Sequence, residues 1–227
     1  PHTQTTPDGT FGCLMIDPQY KETWAKTFAD AETQRLIKKG AIVGVFLGDE
    51  HMWFGVQLSE LKAIADEVRL SWPSAIIYSN EAPDIAMCNY RKDNTTVFAD
   101  GECLPSNVDW FGFDFYQHDA TSWEAARYAY ENFVFPRFGR ADQRAAPVSL
   151  GYSDGDLDVA DAAALDEFCA VNARQFFQMG LADNRFVGQC PFHYNGGVRN
   201  ANGSITGGAG IVDLPRCLKT YQGIGQI

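Results

Sequence analysis

The sequence predicts an α/β protein with a mostly parallel sheet, and three observations carry that expectation. Strand-like and helix-like segments alternate along the chain. The strand-like runs are short and rich in Val, Ile and Phe. The clearest of them, AIVGVFLGDEHMW over residues 41–53, stops at two adjacent carboxylates, Asp49 and Glu50. Such a run reads as a strand covered on both faces, and acids at its C-terminal end fall where α/β folds place chemistry. A plain hydrophilic stop is the alternative, and polar ends on the later strands favour a shared site over it.

Taken in order, residues 11–16 read as a first strand. Residues 20–39 carry Trp24, Phe28, Ala31, Leu36 and Ile37 at helical spacing and stop at Gly40, which predicts one amphipathic helix. Residues 42–47 form the next strand, and residues 58–70 a helix with Ser59 as its cap and Leu61, Ile64, Ala65 and Val68 on one face. A short strand over residues 74–79 runs into Asn80 and Glu81. After a polar excursion, VDWFGFDFY predicts a strand over residues 108–116. Residues 122–135 read as helix, 146–152 as strand, 161–179 as helix and 185–192 as the last strand. Gly-rich residues 195–210 read as a long surface loop, and a closing helix starts near Pro215.

This order implies right-handed crossovers between parallel strands. Six strands are signalled, whereas a (β/α)8 barrel needs eight and typically about 250 residues. The expected fold is therefore a (β/α)8 TIM-barrel-like one that lacks, or signals weakly, its first one or two strands. An open doubly wound sheet fits the count but would normally carry a Gly-rich phosphate loop, which this sequence lacks. With no repeat, low-complexity tract or linker, residues 1–227 are expected to form a single domain.

Composition narrows the partners. A hydrophobic fraction of 45% supports a large core, and a net charge of -11 opposes nucleic acid and anionic membranes. Neutral or cationic ligands suit it better. No apolar run approaches the roughly 20 residues of a membrane span, and residues 1–10 do not resemble a signal peptide, so a soluble chain with any leader removed is expected. The six cysteines, Cys13, Cys88, Cys103, Cys169, Cys190 and Cys217, contain no C-x-x-C pair, which argues against zinc. Sequons at Asn94 and Asn202 favour glycosylation and secretion. Cys88 and Cys103 bracket the first sequon and are expected to pair, closing a loop at a gain of roughly 3 kcal/mol. Cys13 and Cys190 lie in strand-like runs and are either bonded or free buried thiols.

The segments GVFLGDEHMW, SWPSAIIYSNE, NVDWFGFDFYQ, APVSLGY and FFQMGLADNRFVGQCPFHYNGG, in that order, resemble the later half of TIM-barrel glycoside hydrolases over residues 42–197. In those families a Glu closing the fourth strand is the general acid, and a strand of the form vDxxgxDxY supplies a substrate-facing Asp and Tyr. Gly48-Asp49-Glu50 is similar to the Gly-Asp-Glu of β-N-acetylhexosaminidases, in which the Asp aligns the substrate acetamido group and the Glu is the acid. It also resembles the LGDEP strand end of retaining galactosidase-like barrels, with His51 in place of the Pro. The resemblance implies hydrolysis of a glycosidic bond in an oligo- or polysaccharide, a carbohydrate ligand and no cofactor.

Glycoside hydrolysis needs a proton donor beside the leaving oxygen and a second group that attacks, activates water or aligns a substrate nucleophile. Glu50 is the expected donor, its pKa raised by crowding from Asp49 and Trp53. Retaining barrels carry a Glu nucleophile on the seventh strand, whereas VSLGYSD offers Tyr152 and Asp154. Asp49 with Tyr116 fits substrate assistance; Glu81 or Asp114 fits a direct carboxylate pair. A non-catalytic carbohydrate-binding or structural glycoprotein on the same fold is the competing class.

Trp53, Asn80, Tyr116, Tyr152, His193 and Tyr194 are the expected sugar-facing residues, against a core role for the aromatics and a hydrogen-bonded structural role for His193. Trp110 reads as core. No metal site is expected: His118-Asp119 lacks ligand spacing. The acidic run from Asp154 to Asp158 also falls short of a calcium loop. Val159 stands in place of that loop's Gly and Leu165 in place of its Glu, so the run leads into the following helix.

Overall fold

The computed structural model describes residues 2–3, 14–86, 104–115, 122–150, 157–192 and 196–225. Two compact units are present, Pro1–Gly112 with Asn132–Gln143, and Phe113–Glu131 with Arg144–Ile227.

In the first unit, β1 (His2–Thr3) and β2 (Leu14–Met15) pair antiparallel, His2 opposite Met15. This corrects the expectation of a parallel strand over residues 11–16. Asp17 accepts the N–H groups of Gln19 and Tyr20 at 2.8 and 2.9 Å, which turns the chain out of the strand and into a helix. The single helix expected over residues 20–39 is in fact two, α1 (Tyr20–Ala29) and α2 (Ala31–Lys38). Asp30 is the cause: its backbone is extended and its carboxylate accepts the Thr33 N–H at 2.8 Å, an N-cap that restarts the helix.

Strand β3 (Gly44–Asp49) and β4 (Ile76–Glu81) are parallel and are joined by α3 (Leu58–Ser71). Helix α3 starts one residue ahead of Ser59, where the Glu60 carboxylate accepts the Gln57 N–H at 2.8 Å. Its buried face, Leu61, Ala65 and Val68, meets the strands. Ala65, Val68, Trp72, Ala75, Ile77 and Val108 form the core there, with Trp24 and Phe28 of α1 and Val45 and Leu47 of β3 packed against it. The expectation that β3 is covered on both faces does not hold. Phe46, on the face opposite Val45 and Leu47, is 54% exposed, and its ring stacks on Tyr78 at 5.0 Å.

Asp109 pins the start of β4. Its N–H donates to the Ile77 carbonyl at 2.9 Å, while its carboxylate accepts the Ile77 N–H and the Arg140 guanidinium, both at 2.7 Å, and the Arg69 guanidinium. A short helix, α4 (Pro83–Ala86), follows β4 and buries Ile85 against Met52 and Leu61.

Strand β5 (Trp110–Phe115) leads from the first unit into the second. The second unit continues with α5 (Ser122–Ala129), β6 (Arg144–Ala145) and β7 (Val148–Leu150), then α6 (Val159–Ala182) and β8 (Cys190–Phe192). β5 pairs in parallel with β7, and β7 with β8, Asp114 lying opposite Val148 and Val148 opposite Cys190. The helix expected over residues 122–135 leaves α geometry at Tyr130–Val134, a π turn followed by a 3-10 turn containing Pro136. Tyr130 is buried there, stacked on Phe113 at 4.4 Å and edge-on to Phe186 at 5.1 Å.

Helix α6 begins where the acidic run ends. The Asp158 carboxylate accepts the Ala160 and Asp161 N–H groups at 2.8 and 2.9 Å. The surface loop expected over residues 195–210 contains a hairpin, β9 (Val198–Arg199) with β10 (Ile205–Thr206), and α7 (Pro215–Ile224) closes the unit. Cys190 is exposed, not buried as a strand thiol would be. Among the described residues no helix is long and apolar enough to cross a membrane.

Candidate active site

Strand β3 gains an extra residue as it reaches the acids. Phe46 lies opposite Tyr78 and Asp49 opposite Asn80, so three steps on β3 match two on β4. Gly48 absorbs the bulge at φ 135°, and the His51 ring folds back over it. A Cβ at Gly48 would sit 2.2 Å from His51 Nε2. His51 Nε2–H donates to the Leu47 carbonyl at 2.9 Å, which fixes the proton on that nitrogen because a carbonyl can only accept.

Glu50 follows with φ 50°, the one non-glycine residue at positive φ among the described residues. Left-handed backbone of this kind costs on the order of 1–2 kcal/mol and persists only where neighbours over-determine it. Here the Glu50 N–H donates to the Asn80 carbonyl at 3.0 Å and the Glu50 carbonyl accepts the Phe54 N–H at 3.0 Å. The turn thereby sets the half-buried Glu50 beside the exposed Asp49, whose carboxylate accepts the buried Asn80 Nδ2–H at 2.7 Å.

Below them lies Glu81, fully enclosed at the end of β4. Its carboxyl accepts the Met52 N–H at 3.0 and 3.2 Å and the Trp53 N–H at 3.3 Å. Burial pushes its pKa up to about 8; the two backbone N–H groups oppose the shift, and the charges of Glu50 and Asp49 add to it. At neutral pH Glu81 is therefore mostly protonated. A neutral acid can hold the turn by its backbone without placing a third negative charge beside Asp49 and Glu50.

The first unit thus brings together Asp49, Glu50, Asn80, Glu81 and Trp53, the last half-buried against Met52, Leu61 and Ile85. Asp114 is buried on β5 in the second unit. Tyr116, Tyr152, His193, Tyr194, Cys88, Cys103 and Asn94 lie outside the described residues. Asn202 is exposed in the β9–β10 turn, and its side-chain carbonyl accepts the Ser204 N–H and Oγ–H at 3.1 and 2.8 Å. Among the described residues no cluster of three or more His, Cys, Asp or Glu could hold a metal ion. Sequence reasoning passed over His51 as a positioning group. Its signal was the glycine three residues earlier, which leaves room for the ring.

No protein-family model and no curated protein sequence matches the chain. Among solved structures, the chain is similar to a fungal β-1,4-galactanase, with 17% identity, a TM-score of 0.47, and 83% of this chain against 61% of that one covered. It is also similar to a GH113 β-1,4-mannanase, with 12% identity, a TM-score of 0.51, and 97% of this chain against 71% of that one covered. The chain spans about three fifths of the galactanase's length. The likeness to the mannanase shows the fold: the parallel strands and crossover helices are those of a TIM-barrel-like α/β protein.

Proposed function

We propose that the chain is a glycoside hydrolase acting on an oligo- or polysaccharide, with Glu50 as general acid. The observation that carries this reading is the Asp49–Glu50 strand end. Glu50 is held in left-handed backbone between the Asn80 carbonyl and the Phe54 N–H, beside an accessible Asp49 that Asn80 orients. A positioned carboxyl of this kind supplies the proton that a poor alkoxide leaving group needs. Asp49 aligns a substrate group or stabilises developing positive charge. Asp114 and Tyr116 remain the candidates for a further substrate contact. Trp53, Tyr152, His193 and Tyr194 are candidates to face the sugar.

The net charge of -11 fits a neutral polysaccharide better than an anionic ligand. The sequon at Asn202, in an exposed turn, supports a secreted glycoprotein. A second reading, a non-catalytic carbohydrate-binding protein, draws on the burial of Glu81, which leaves Asp49 and Glu50 as the reachable carboxylates of this strand pair. The test is release of reducing ends from β-1,4-mannan, β-1,4-galactan and amino-sugar oligomers by the wild type and by Glu50→Gln. Turnover that Glu50→Gln abolishes supports the hydrolase. Binding without turnover by either form supports the second reading.

A further inference from the structure

We propose that Cys169 of α6 and Cys217 of α7 form a disulfide that staples the two helices together. Both side chains are fully enclosed and share one core with Leu165, Ile211 and Leu214. One turn ahead of Cys169, the Asp166 carboxylate accepts the N–H of Arg216 at 3.0 and 3.2 Å and that of Cys217 at 2.9 Å. The first turn of α7 is thereby fixed against the α6 face that carries Cys169, since residues three apart share a helix face. The two thiols therefore face one shared core, one on each helix. They are unbonded covalently in the structure, which makes them a preformed dithiol. The pairing does not rest on the glycosidase assignment.

The oxidant is a small-molecule disulfide of the oxidised-glutathione class. The thiolate of one cysteine attacks it and releases one reduced thiol, leaving a mixed disulfide. The second cysteine then attacks that mixed disulfide at the protein sulfur, forming the Sγ–Sγ bond and expelling the other thiol. Two electrons and two protons pass from the cysteine pair to the donor, which leaves as two thiols. The neighbouring Cys217 thiol, and burial after it, push the Cys169 thiol up, so thiolate is scarce once the core has closed. The closed loop of about 48 residues shifts the folding equilibrium by on the order of a thousandfold.

The test uses the full chain, reduced and unfolded, then refolded in a glutathione redox buffer. The folded monomer is alkylated in denaturant and digested without reductant. The expected product is a peptide pair joining Cys169 to Cys217, lighter by two hydrogen atoms than the reduced peptides and separated by reductant. The proposal is overturned if both cysteines carry the alkyl label, or if either is joined to another cysteine such as Cys190.

Discussion

Glu81 closes β4 and accepts the Met52 N–H on both of its oxygens, at 3.0 and 3.2 Å. One enclosed carboxyl therefore holds the turn that carries Glu50, the proposed acid. Its protonation state couples the stability of the site to pH.

That coupling has a sign. Burial in the folded chain pushes the Glu81 pKa up to about 8, from an ordinary carboxyl value of 4.5. Below about 4.5 both states hold the proton and the group adds no pH dependence. Above that, the unfolded chain releases a proton the folded chain retains, so stability falls by up to about 1.4 kcal/mol per pH unit. The loss levels off once the pH passes the folded pKa. Urea midpoints between pH 5 and 9 should show this slope in the wild type and a shallower one in Glu81→Gln, in which the site cannot ionise. Parallel slopes in the two proteins would contradict the assignment.

Gly48→Ala meets two obstacles, a backbone at φ 135° and a His51 ring 2.2 Å from the new Cβ. It should destabilise the first unit by about 3 kcal/mol. His51→Ala in the same chain removes the clash but leaves the backbone strain, so the double variant should recover part of the loss. A double-mutant cycle on urea midpoints reads that coupling.

Asp109→Asn leaves Arg69 and Arg140 without their shared carboxylate while keeping an acceptor for the Ile77 N–H. The partly exposed network should lose about 2 kcal/mol in thermal or urea unfolding, and Asp109→Ala more. Equal stability for the alanine variant would show that the start of β4 does not depend on these bonds.

Asp49→Asn distinguishes the two roles open to that residue. If Asp49 aligns an acetamido nucleophile, kcat on amino-sugar substrates should fall by on the order of a hundredfold or more. If its role is orientation through Asn80, the loss should appear mainly in KM and on neutral sugars as well. Steady-state kinetics on the two substrate classes decides between them.

Much of the fold was legible in the sequence because apolar periodicity survives in the order of β and α segments. Residues 44–49, 76–81 and 110–115 are strands close to where Val, Ile and Phe cluster. Capping was less visible. Asp30 sits inside an unbroken helical pattern, and only its N-cap bond to Thr33 shows that the helix stops and restarts there. Asp49 and Glu50 were marked by their place at a strand end. That Glu81 would be enclosed was not, because Ser-Asn-Glu reads as polar and its burial depends on the Met52–Trp53 turn folding over it. A raised pKa is seen in Glu81, where removal from water is the largest cause.

The central claim is that Glu50 donates a proton to the leaving group, and leaving-group dependence tests it most directly. Wild type and Glu50→Gln should be compared on aryl glycosides spanning a wide range of phenol acidity, with fold checked by circular dichroism. The account predicts that Glu50→Gln loses orders of magnitude in turnover on poor leaving groups and little on the most activated ones, giving a steep dependence where the wild type is shallow. Equal loss across the series, or no loss at all, would contradict it.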